Sequence, residues 1–176
     1  KEAATNKATE ILTSFSDGLL KSNLMESTVK IKMGNVADGI TSDMSMEDAL
    51  AKKAQNIANT FQKELDKIDL DITTKDLEYQ LWEESNSGAT DAEKAAANIE
   101  MLAAKYELQA KNVETAKAEY QETLKQLGES AEETQEAYNK LLQDQIDLAE
   151  LASELTSAQQ TEAQSNQPAL TYYNTR

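Results

Sequence analysis

Residues 124–142 read LKQLGESAEETQEAYNKLL, and the way this stretch folds decides the architecture of the chain. Gly128 closes a helix-like run in the usual helix-terminating position. Ser130-Ala131-Glu132-Glu133 follows as a capping-box pattern, with Ser130 poised to accept from the Glu133 amide and Glu133 to reach back. One helix thus ends and another begins within a few residues, and so short a connection favours antiparallel neighbours. Upstream, Thr90-Asp91-Ala92-Glu93 forms another capping box. The helix it opens carries Ile99, Leu102, Tyr106, Gln109, Val113, Ala116 and Tyr120 at heptad spacing, continuing to Leu127. Downstream, Thr134, Tyr138, Leu141, Gln145, Leu148, Ala152 and Leu155 repeat in the same way. Folding about Glu129 sets Tyr120 against Tyr138, Val113 near Gln145 and Gln109 near Leu148. The expected unit is an antiparallel coiled-coil hairpin over residues 91–163, with arms about 45 Å long at ~1.5 Å per residue. Polar seam positions suit a register-setting or detachable pairing.

Composition places this hairpin in an elongated all-α protein. Of 176 residues, 39% are hydrophobic and 5% aromatic, and one proline with five glycines leaves little turn material for a β fold. The net charge of −15, from 32 acids against 17 bases, repels nucleic acid, whose affinity rests on cationic groups releasing phosphate counterions. It also disfavours anionic membrane surfaces. The acids are uneven: residues 128–163 hold nine acids and one base, Lys140. The longest apolar run, residues 101–104, is far too short for a transmembrane span.

Toward the N-terminus, Ala4, Ala8, Ile11, Phe15, Leu19 and Leu20 mark one helical face, and the expected N-terminal helical segment covers residues 1–44. Residues 34–43, with Gly34 and Gly39, read as a joint or a poorly packed segment. Ser45 is a candidate N-cap, and Glu47 and Asp48 complement the helix dipole. Leu50, Ala54, Ile57, Phe61, Leu65 and Ile68 then recur at helical spacing. Helix is expected on both sides of residues 69–74, with continuity through Thr73-Thr74 left open. The second segment, residues 45–84, ends in LDITTKDLEYQLWEES, which holds the lone tryptophan. Leu77, Leu81 and Trp82 lie close together there with Tyr79 one turn before Trp82, so a packing plug between the N-terminal helices and the hairpin is expected. Residues 85–90 are a linker, and residues 164–176 are read as a flexible tail.

Chemistry is sparse. The chain has neither histidine nor cysteine, so His-based triads, thiolate nucleophiles and disulfides are excluded. Its glycines are scattered singly, and no phosphate-cradling loop occurs. Asp69, Asp71 and Thr73 mimic the opening of a calcium loop, but Thr74 stands where glycine belongs and Gln80 where a bidentate glutamate belongs. Carboxylate pairs such as Glu83-Glu84 diverge by about 100° on a helix and read as solvated or dipole-complementing acids. No catalytic, cofactor or metal residue is nominated. Interaction or scaffolding is the class left.

The stretch around Trp82, the glycine-containing linker and the hairpin sequence together resemble the tail tape measure proteins of long-tailed phages and prophages, especially those of Gram-positive hosts. The likeness covers residues 65–156, and its most telling pieces are Leu77-Glu78-Tyr79-Gln80-Leu81-Trp82 and residues 128–138, GESAEETQEAY. Members of that family are long helical chains around which the tail tube polymerises, so that chain length sets tail length. The resemblance implies a segment of a longer chain in the virion tail, acting as a scaffold, with tail tube protein and tail assembly chaperones as partners. Self-association through helical seams is a further expectation. Some members carry membrane-active or peptidoglycan-cleaving regions, and no motif here matches those. The alternative is an independent coiled-coil adaptor, secreted or surface-borne. The residues expected to carry structure or interaction are Leu77, Leu81, Trp82, Ile99, Leu102, Tyr106, Val113, Tyr120, Gly128, Tyr138, Leu141, Leu148 and Leu155.

Overall fold

The structure is a computed structural model that describes residue 23 and residues 25–174. The face expected over residues 4–20 lies outside the described residues. Three long helices follow in order: α1 (Met46–Ser85), α2 (Asp91–Leu127) and α3 (Glu132–Asn174). The fold is all-α. α2 is the middle element, packed against α3 along one face and against α1 along another. The hairpin is therefore two sides of an up-down-up arrangement.

Each boundary has a local cause. Ser45 accepts a hydrogen bond from the Asp48 amide at 3.1 Å and starts α1 where the acids of its first turn predict. α1 then runs unbroken through residues 69–74. The Thr73 and Thr74 hydroxyls donate to the carbonyls of Asp69 and Leu70, satisfying themselves inside the helix instead of breaking it. Asn86 closes α1, its side-chain amide donating to the Trp82 carbonyl at 2.8 Å. Thr90 and Glu93 form both halves of the expected capping box. Gly128 ends α2 at φ +89°, a left-handed value that an L side chain would strain to reach, with its amide on the Leu124 carbonyl at 2.9 Å.

The second expected capping box is displaced. α3 begins at Glu132, and the Ala131 carbonyl accepts the first helical bonds from Thr134 and Gln135. The Thr134 hydroxyl, not Ser130, closes the turn by donating to the Gly128 carbonyl at 2.7 Å. Folding this hydroxyl back over the reversal buries Thr134 to 2% exposure.

Two boundaries differ from the sequence expectation. The expected tail from residue 164 is helical, as α3 continues to Asn174; the Ala- and Gln-rich run that leads into it favours helix. The expected N-terminal helix does not extend over residues 25–33, which carry no helix. Side chains of α2 take the amides of two of these residues: Ser27 N donates to Gln121 Oε1 at 3.2 Å, and Thr28 N to Glu114 at 2.9 Å. The joint over residues 34–43 is a turn tied to α1 by Asn56, whose amide donates to the Val36 and Asp38 carbonyls. Gly39 in that turn has φ +80°, and a Cβ there would lie 2.7 Å from the Lys52 side chain.

The core follows the heptad seam. One apolar cluster joins Ile99 and Leu102 to Ala152, Leu155 and Ala158, and a second joins Val113 and Ala116 to Leu141 and Leu148. Along α1, Ile57, Phe61, Leu65 and Ile68 are buried on one face. Leu141 is fully buried. Its replacement by alanine is expected to cost about 2–5 kcal/mol. Urea unfolding of the whole chain measures this, and an Ile146→Ala control on the exposed face should move the midpoint little.

Candidate functional site

The site with most structure is a polar layer across the middle of the bundle. It starts at Asp69 of α1, whose Oδ1 accepts from Asn112 Nδ2 at 3.0 Å. Asn112 Nδ2 also donates to Gln109 Oε1 at 3.2 Å, and Gln109 Nε2 donates to the Asp144 carbonyl of α3 at 2.9 Å. One hydrogen-bonded chain therefore links all three helices. Gln109 and Asn112 sit three residues apart on α2, one toward the seam and one toward α1, which is why a single helix can serve both neighbours.

A second polar contact lies on the segment before α1. Asn23 and Gln145 exchange amide hydrogen bonds at 2.6 and 3.5 Å, and both are buried. Gln121 donates to the Asn23 and Met25 carbonyls, while the Ser27 hydroxyl donates to the Glu114 carbonyl at 2.7 Å. Asn23 and residues 25–28 form a strap across the hairpin, held by α2 and α3 through polar groups. Burial works against the Glu114 charge, but the Thr28 amide, Lys117 at 3.1 Å and the Ser27 hydroxyl outweigh it. The carboxyl is held below its ordinary range.

The carboxylates of the layer are less well served. Asp144 Oδ2 and Asn112 Oδ1 are buried with no hydrogen-bond partner among the described residues. Burial, only partly opposed by the Lys140 charge and reinforced by Asp147, Asp69 and Glu119, pushes Asp144 up to about 6. Burial also raises Glu119, against the pull of Lys140 at 3.5 Å. Such groups favour an easily opened seam, because opening rehydrates them.

Around this layer the expected residues divide clearly. Ile99, Leu102, Val113, Leu141, Leu148 and Leu155 are buried. Tyr106, Tyr120 and Tyr138 are half-buried at the seam edge. The rings of Tyr120 and Tyr138 meet at 5.0 Å with a 50° tilt, as folding about Glu129 requires. Gln109 and Gln145 are buried, as seam positions should be.

The plug of Leu77, Leu81 and Trp82 is not one cluster. Trp82 stacks on Tyr79 at 6.3 Å and borders a groove of about 200 Å³ shared with Ala97, Met101 and Ala104 of α2. Leu77 is 58% and Leu81 65% exposed. Each helical step turns a side chain by about 100°, so the leucines point away from the face that Tyr79 and Trp82 present to α2. Lys105 and Asp76, at 2.9 Å, brace the same end of that interface.

Asp69 stands out in the sequence only as part of a calcium-loop mimic, and Asn112, Glu114 and the Asn23 strap do not stand out there at all. Only the helical spacing of Asp69 on α1 and of Asn112 on α2 could have signalled those two. The calcium-like Asp69, Asp71 and Thr73 stand on uninterrupted helix, and no group of three or more acidic side chains among the described residues could hold a metal. No described helix is long and apolar enough to cross a membrane. No family model, curated protein or solved structure matches the chain.

Asp144 makes the stability depend on pH. Its folded-state pKa lies above its unfolded value, so the folded chain holds the proton more tightly. That contribution is complete below the unfolded pKa near 4 and is lost as pH rises through about 6. Asp144→Asn is expected to stabilise the chain at pH 7 by on the order of 1 kcal/mol, discounted for partial solvent screening. Thermal melts from pH 4 to 7 should show the two proteins converging at the acid end.

Proposed function

We propose that this chain is a structural, non-enzymatic segment of a phage tail tape measure protein, a helical scaffold that sets tail tube length during assembly in the host cell. The resemblance of residues 77–82 and 128–138 to that family supports the identity. The observation that carries the mechanism is the polar chain from Asp69 through Asn112 and Gln109 to Asp144. A ruler has to exist both folded and extended, and interfaces joined by hydrogen bonds and partly desolvated carboxylates separate at lower cost than apolar ones.

In this reading the bundle is the form before assembly. α3, the longest of the described helices, spans about 65 Å, whereas all 176 residues as one helix would span about 260 Å at ~1.5 Å per residue. Opening at the links over residues 86–90 and 128–131 carries the three described helices, residues 46–174, to about 195 Å at ~1.5 Å per residue without unwinding any of them. Tail tube protein and tail assembly chaperones are the partners this reading implies, and the virion tail is the destination. A second reading, an independent coiled-coil adaptor, is favoured by one observation, the exposed leucines of α1. Long helical flanks in the full reading frame point to the ruler, and a nearby start and stop to the adaptor.

In-frame deletion of residues 91–163 from the parent gene is expected to shorten the tail by about 1.5 Å per residue removed, seen by electron microscopy. Tails of unchanged length would contradict the proposal.

A further inference from the structure

We propose that the outward face of α1 pairs in antiparallel fashion with the same face of a second copy of this chain. The proposal does not depend on the tape-measure reading. Leu70, Leu77 and Leu81 are 65%, 58% and 65% exposed, while the buried face of the same helix is marked by Ile57, Phe61, Leu65 and Ile68. With Thr74, which is also exposed, the leucines recur at spacings of four, three and four. That is an a/d stripe: Leu70 and Leu77 take d positions, Thr74 and Leu81 take a positions. It continues into exposed charges at both ends, Lys67 at the preceding a position and Glu84 at the following d position.

This arrangement selects its own partner. In antiparallel coiled coils an a position faces a d position of the other helix. Placing Leu81 on Leu70 of the second copy also places Thr74 on Leu77 and Lys67 on Glu84. The Leu70–Leu81 layers are then apolar and the Lys67–Glu84 layers oppositely charged, while the Thr74–Leu77 layers set leucine beside a hydroxyl already bonded to the Leu70 carbonyl, and the two-fold axis makes each contact twice. A parallel pair would instead set Lys67 against Lys67 and Glu84 against Glu84. Antiparallel helices also oppose their dipoles favourably. The flanking acids resist this pairing: Asp71 faces Glu78 of the second copy, although Lys75 lies 3.4 Å from Glu78 on its own helix. The buried area is on the order of 1,000 Å², the low end for specific association, so the pair is weak and concentration-dependent.

Sedimentation equilibrium of the whole chain near physiological salt tests this. A monomer–dimer equilibrium is expected within a range of about 10 µM to 1 mM. Leu77→Lys should raise the dissociation constant at least tenfold with helicity unchanged, since the side chain is exposed. Lys67→Glu should weaken pairing, and Lys67→Glu combined with Glu84→Lys should restore it, which only the antiparallel register allows. A monomer throughout that range, pairing indifferent to Leu77→Lys, or failure of the double charge swap to restore pairing would overturn the proposal. So would a monomer that pairs only after residues 1–22 are deleted, which would assign the strip to this chain's own first residues.

Discussion

The backbone reversal at Gly128 is the constraint on which the rest of the molecule depends. A left-handed residue there, with Thr134 folded back on its carbonyl, lets α2 and α3 lie antiparallel with only a few residues between them. It also sets the register. Tyr120 must meet Tyr138, and the apolar pairs Ala116 with Leu141 and Leu102 with Leu155 follow from the same fold-back. A slip of one residue would rotate every seam side chain by about 100° and carry Gln109 away from the Asp144 carbonyl. α1 is then recruited to a helix whose second face is already fixed in position.

Polar groups specify this assembly more than they stabilise it. Asn112 and Gln109 can satisfy Asp69 and the Asp144 carbonyl together only in one relative placement of three helices. The buried Asn23–Gln145 pair does the same for the strap. The apolar clusters supply the driving force, but alanine and tyrosine take many of their places, and burial works against the charge of the Asp144 carboxyl. The outcome is a bundle with a defined register and modest resistance to opening.

The hairpin was legible in the sequence because its determinants are local. Two heptad runs, a capping box and a terminating glycine each constrain residues that are near neighbours in the chain. What the sequence concealed depends on helices finding one another. Asn112 looks like an exposed polar residue until α1 covers it, and Glu114 looks like a solvated acid until residues 27 and 28 cross it. Proximity along the chain alone places Trp82 and the leucines beside it in one cluster. The direction in which each points separates Trp82, toward α2, from Leu77 and Leu81, toward solvent. Thr73-Thr74 left the continuity of α1 open because β-branched residues lower helix propensity, and their back-bonded hydroxyls resolve it in favour of helix.

A scaffold reading requires that the closed seam be the resting form of the chain, and interhelical distance addresses this directly. Glu100 of α2 and Ser157 of α3 are both exposed and lie near each other across the hairpin. Were α2 and α3 a single extended rod, the two would stand roughly 85 Å apart at ~1.5 Å per residue. Pulsed electron spin resonance between labels at these positions in the free chain is expected to give one narrow distribution, at about 30 Å or less once label length is included. A distribution centred near the extended distance would contradict the closed antiparallel seam and the account built on it.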